Sequence, residues 1–153
     1  MSALKLVALD GEDLEILSAH LQDAVMQVGD LAYVAKERRF VALVNRFDWT
    51  TASKGGPMRL YERHRAALRF ERVLSAQLLK IRLDAKDVVL SLLAISFEPT
   101  DAPGGYILLT FAGGGGIRLE VECIEAGLAD LGPVWKTASK PSHPDDPAEG
   151  PRK

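Results

Sequence analysis

Thr110-Phe111-Ala112-Gly113-Gly114-Gly115-Gly116-Ile117-Arg118-Leu119, TFAGGGGIRL, decides the fold. Four adjacent glycines have two physical uses. Their bare amides can cradle a phosphate, which requires a strand before them and a helix after them, so that the helix's free N–H groups and dipole face the anion. The nucleotide-binding form adds Lys and Ser/Thr directly after the last glycine. Alternatively they supply the positive φ angles of a tight or bulged hairpin. Beyond the last glycine, Ile117, Leu119, Val121 and Cys123 alternate with Arg118, Glu120 and Glu122, the pattern of a half-buried strand. The glycines therefore turn a corner between two strands.

Working outward from that corner, YILLTF (106–111) is the preceding strand, entered through the turn TDAPGG (100–105). Before it, VVLSLLAISFE (88–98) is apolar on both faces and is expected at the centre of a sheet. The stretch RLYERHRAALRFERVLSAQLLKI (59–81) carries both a helix-like set, Ala67, Glu71, Leu74 and Leu78, and a strand-like set, Leu68, Phe70, Leu74, Ala76 and Leu78. Its β neighbours decide for strand, with a bulge near Arg72. LAYVA (31–35) and FVALVNRF (40–47) flank KERR as a hairpin without a turn glycine, and TTASKGGPM (50–58) is a loop by composition. Leu4 to Leu9 reads as a short strand.

Two helices are expected. The first occupies DGEDLEILSAHLQDAVMQVGD (10–30), capped by Asp10, with Glu12 and Asp13 in its first turn and Gly29 as its terminator. Leu14, Leu17, Leu21, Ala24, Val25 and Val28 form its apolar stripe. The second occupies IEAGLADLG (124–132), with Ile124, Leu128 and Leu131 on one side and Gly132-Pro133 as its stop; Trp135 then folds back as an anchor. Together these elements predict an α+β fold: a curved antiparallel sheet of six or seven strands, a partly closed barrel or sandwich, with an N-terminal and a C-terminal helix. The order of elements is that of pleckstrin-homology-like barrels, an analogy of fold that carries no function. Residues 1–135 are expected to form one globular domain. Residues 136–153, with four prolines and no large apolar side chain, are expected to be a disordered tail.

Composition narrows the function classes. The chain has 153 residues, 47% of them hydrophobic, which suits one ordinary core. Its first ten residues hold no apolar run long enough for a signal peptide or a membrane span, so a cytoplasmic protein is expected. Cys123 is the sole cysteine, which excludes an internal disulfide and fits a reducing compartment; as the end of an alternating run it reads as a small buried hydrophobe. The net charge of −2 argues against general nucleic-acid binding. Yet Lys36–Arg82 holds 12 basic and 4 acidic residues, while the remainder holds 7 and 17. Strands from the basic middle laid beside the acidic end would cancel this asymmetry.

No motif carries catalysis, a metal or a cofactor. His20, His64 and His143 are scattered, there is no nucleophile elbow, and neither Glu120/Glu122 nor Asp145/Asp146 reads as a general acid–base pair. The functional weight lies in the basic segment 59–72, where Arg63, Arg65 and Arg69 would share one face of a strand, with Tyr61 and Phe70 interleaved. That geometry suits contact with phosphates or carboxylates. Three readings are open: a non-enzymatic binding or scaffold module that self-associates or holds a protein partner; an anion or nucleic-acid binder through Arg63, Arg65 and Arg69; and an enzyme with a pocket near His20 or Asp48/Trp49. The first is preferred, because charge pairing within the molecule or between copies explains the arginines more simply.

Three stretches, LSAHLQDAV, KERRF followed by NRFDW, and LTFAGGGGIRLEVECIEAGLADLG running on to Pro133 and Trp135, resemble a bacterial domain-of-unknown-function family, the 2948 family. The resemblance spans about residues 4 to 144. It implies a single cytosolic domain and transfers no activity, cofactor or catalytic residue.

Overall fold

The computed structural model describes residues 4–48 and 61–137. In chain order the elements are β1 (Lys5–Ala8), α1 (Gly11–His20), β2 (Val25–Gln27), β3 (Leu31–Val34), β4 (Arg39–Asp48), β5 (Tyr61–Phe70), β6 (Val73–Leu79), β7 (Val89–Pro99), β8 (Gly105–Phe111), β9 (Gly116–Val121) and β10 (Ala126–Thr137). The loop 50–58, Trp49 and residues 138–153, where most of the expected tail falls, lie outside the described residues.

The strands form one open, ten-stranded sheet in the order β1-β10-β5-β4-β2-β7-β8-β9-β6, with β3 also paired to β4. Every pairing is antiparallel. This corrects the expected α+β barrel or sandwich with two helices: the fold is mostly β, and α1 is the only α-helix among the described residues. The pleckstrin-homology-like order falls with the missing C-terminal helix. IEAGLADLG instead leads into β10, which fills the space between β1 and β5 and pairs with both. Left as a helix, it would abandon the backbone groups of two strands. Pairing on both sides outweighs the helical preference of an Ala- and Leu-rich run. Ala126 and Leu128 face the core, with Asp130 next on the same side.

The first helix starts where its cap predicts. The Asp10 carboxylate accepts from Asp13 N–H at 2.8 Å, and Asp13 in turn accepts from Leu9 N–H at 2.9 Å. It stops at His20, ten residues short of the expected end. Asp23 takes a positive φ of 67° and the chain enters β2. Ala24, Val25, Met26 and Val28 are buried outside any α-helix: Val25 and Met26 point to opposite faces of β2 and Val28 opens a 3-10 turn, so the three- and four-residue spacing there is not a helical stripe. Leu14, Leu17 and Leu21 pack α1 on the core face of the sheet, and Ser18 Oγ ties it to β7 by accepting from Ile95 N–H at 2.9 Å.

The sheet has ten strands where six or seven are expected, but several local expectations on β structure hold. Arg72 has a φ of 61° at the break between β5 and β6, where the bulge is expected. Arg38, with φ 54°, supplies the left-handed residue of the glycine-free β3–β4 turn. Gly113 and Gly114 have φ of 89° and 101° at the β8–β9 corner, and Phe111 N–H closes the turn on Gly115 O at 2.9 Å. Strand β7 lies inside the sheet, between β2 and β8. Cys123 sits half-buried in the bend after β9, short of the full burial expected of it.

Candidate functional site

The charge asymmetry of the sequence is resolved by the topology. Strands β4 and β5 bring the basic middle beside β10 and the β9–β10 bend, which carry acidic residues. Arg46, on the core face of β4, donates from Nε and Nη2 to the two oxygens of Asp130 at 2.9 and 2.8 Å. Both side chains are almost fully buried, at 6% and 2% exposure. Leu4 N–H donates to the same carboxylate at 2.8 Å, Asp130 N–H returns a bond to Leu4 O at 2.9 Å, and His64 Nδ1 stands 3.2 Å from Oδ2. Burial pushes the Asp130 carboxyl up. The Arg46 and Leu4 hydrogen bonds and the charges of Arg46 and His64 outweigh it, holding the group below the usual carboxylate range.

A second set of pairs lies at the surface where the β3–β4 turn, the β5–β6 break and the β9–β10 bend meet. Arg38 donates to Glu122 at 3.0 Å, Arg39 to Glu71 at 3.0 Å and to Glu37 at 3.2 Å, and Arg72 to Glu125 at 3.3 Å. A hydrogen bond to Glu71 raises Arg39 above its ordinary value, and one to Glu125 does the same for Arg72. These exposed pairs neutralise one another and add little stability. No group of three or more metal-ligating side chains occurs among the described residues.

The three arginines singled out in the sequence do lie on one face of β5, opposite buried Ala66, Leu68 and Phe70. Their surroundings differ. Arg63 is buried with its guanidinium 5.2 Å from the Phe47 ring. The Arg69 guanidinium crosses the backbone at Gly127, where a Cβ would collide with it, and its Nε is 3.8 Å from Glu71. Arg65 borders a cleft. His20 closes α1, half-exposed, and Asp48 ends β4.

That cleft, of about 300 Å³, arises from a flaw in the sheet. Strand β2 pairs with β4 only at Val25↔Asn45 and then turns to β7, and pairing with β4 resumes at Leu31↔Ala42. Residues 26–30 thus swing out opposite Leu43 and Val44. Val25, Met26, Gln27 and Asp30 line it from the diverging segment, Leu43 and Asn45 from β4, Arg65 from β5 and Val89 from β7. Arg65 Nη1 donates to Asn45 Oδ1 at 3.3 Å, and its Nη2 is 3.9 Å from Asp30 Oδ2. Of its lining the sequence marked Arg65 alone, because the parts are separated by up to 64 residues (Val25 to Val89) and meet only through the register.

A second open feature is the β6 edge. Strand β6 pairs with β9 on one side. On the other, only its first residue is held: Val73 N–H donates to Arg38 O at 2.9 Å, and Tyr33 Oη donates to Val73 O at 2.9 Å. The sequence of the edge, VLSAQLL, contains no charge and no proline, and Leu74 and Leu79 are 42% and 40% exposed. Leu83, 61% exposed, follows it.

No helix among the described residues is long and apolar enough to cross a membrane. No curated protein matches the chain, and no solved structure does. A family model described as protein of unknown function (DUF2948) matches residues 4–143, from the first described residue through β10 and beyond, and the chain belongs to that family.

Proposed function

We propose that this domain is a cytoplasmic, non-enzymatic binding module that associates with a second copy of itself through the β6 edge. The observation that carries the reading is the seven-residue edge without charge or proline, devices that otherwise protect a free strand from pairing. An antiparallel ladder leaves alternate N–H and C=O groups of an edge strand pointing outward, ready to accept another strand. A second copy fits because a two-fold axis near Gln77 lays the bulged Leu74 of each strand beside Leu79 of the other, covering both exposed leucines. The lone cysteine supports a reducing compartment.

A contact of one strand per copy is small, so the dimer is expected to be weak and in exchange with monomer. Sedimentation equilibrium from about 10 μM to about 1 mM should show mass rising toward a dimer, with Leu79→Lys shifting the midpoint upward by about tenfold. A monomer across that range, or a midpoint indifferent to the lysine, overturns the reading. Recovery of nucleic acid whose binding falls steeply with salt would instead favour Arg63, Arg65 and Arg69 as an anion site.

A further inference from the structure

We propose that the cleft beside Arg65 binds a small zwitterion, an α-amino acid with an apolar side chain, its carboxylate on Arg65 and its ammonium on Asp30. The two charges face the same space. Their separation of 3.9 Å is beyond hydrogen-bonding distance, and the side chains are 40% and 29% exposed, so each keeps bonding capacity toward the cleft. The guanidinium has five N–H donors, of which Asn45 takes one.

The charge pattern selects among ligands. A simple anion would meet Arg65 but be repelled by Asp30, and a simple cation would meet the reverse. A molecule carrying both charges a few bonds apart satisfies both, inserting its own carboxylate and ammonium where the long pair now stands. Leu43 and Val89 add a small apolar patch for its side chain to an otherwise polar lining, and the amides of Gln27 and Asn45 offer further hydrogen bonds. A volume of about 300 Å³ is at the small end of ligand sites, which suits one amino acid.

The cleft is also built in advance. Its wall is fastened from behind: Val28 N–H donates to Val88 O at 2.9 Å, Gly29 N–H to Lys86 O at 3.0 Å, and Met26 and Val28 are sunk into the core. Gly29 lies so close to Lys86 that a Cβ there would stand 3.2 Å from the Lys86 Cβ. A wall held this way loses little freedom when a ligand enters, which favours binding by a site of few contacts.

The test is an NMR titration of isotope-labelled protein with L-leucine to about 10 mM, a range that reaches weak, millimolar sites. Saturable shifts are expected for amides of Val25–Asp30, Leu43, Asn45, Arg65 and Val89. Isocaproate lacks the ammonium and isoamylamine the carboxylate; both, with inorganic phosphate, should bind about tenfold more weakly or worse, the worth of one charge-assisted hydrogen bond. Arg65→Gln and Asp30→Asn should each weaken L-leucine by about the same factor. Both residues are partly exposed, and the remaining amide spectrum reports whether the fold survives. Val89→Trp, which fills the cleft from β7, is the second route should either variant unfold, and it should abolish the shifts. Absence of saturable shifts, equal binding of isocaproate or phosphate, or indifference to these substitutions overturns the proposal.

Discussion

At the scale of single residues, Asp130 is a heavily constrained side chain. It accepts from Arg46 and from Leu4 and faces His64, on three neighbouring strands and the chain's first described residue. Asp130→Asn leaves the buried Arg46 guanidinium without its counter-charge and should lower stability by about 3 kcal/mol in urea denaturation. Arg46→Met combined with Asp130→Leu should cost less than the sum of the two single changes, because the double variant leaves no buried charge unmatched. The acid limb has a definite sign. A carboxyl depressed in the folded state contributes stability at pH above its unfolded value, and that contribution fades as the pH drops through the folded value. Wild type should therefore lose stability between the ordinary carboxylate range and strong acid more steeply than Asp130→Asn does, measured as the unfolding midpoint against pH. None of this cluster was legible in the sequence. Asp130 read as one polar position on a helix, and Arg46 as one more member of a basic run. Only the β10 register sets them side by side.

At the scale of elements, legibility tracked the locality of the signal. The Asp10 cap, the Arg72 break and the glycine corner are settled by a few adjacent residues, and each is where its pattern placed it. The corner yields a sharp contrast. Gly113→Ala forces a side chain into φ 89° and should cost about 1 kcal/mol or more in thermal unfolding, whereas Gly11→Ala, in ordinary helical backbone with nothing within 4 Å of the added Cβ, should be neutral or slightly stabilising. Elements whose conformation depends on distant partners were misread. The 3.6-residue spacing of Leu14 to Val28 continues past the true helix end because β2 is buried on both faces and so satisfies any periodicity. The run 124–132 has helix-forming composition, yet Gly127 must stay bare to let the Arg69 guanidinium cross, a strand-pairing demand invisible from the run itself.

At the scale of the whole molecule, the sheet is unequal from end to end. Strands β4, β5 and β10 have partners on both sides, and the end strands β6 and β1 have one each. Hydrogen exchange should be slowest in β4 and β5. Outward-facing amides of β6 should exchange quickly at low concentration and slow as protein concentration rises through the dimerisation range. Exchange there that ignores concentration argues against edge pairing. The closing of the other end has a further consequence. Lys5 pairs with Ala129, so β1, made before the other described strands, waits for β10, the last one described. Throughout that interval the nascent chain offers bare edges of both β1 and β5 to its crowded surroundings. The unfinished chain should therefore be more prone to aggregate than that of a domain built from sequential hairpins.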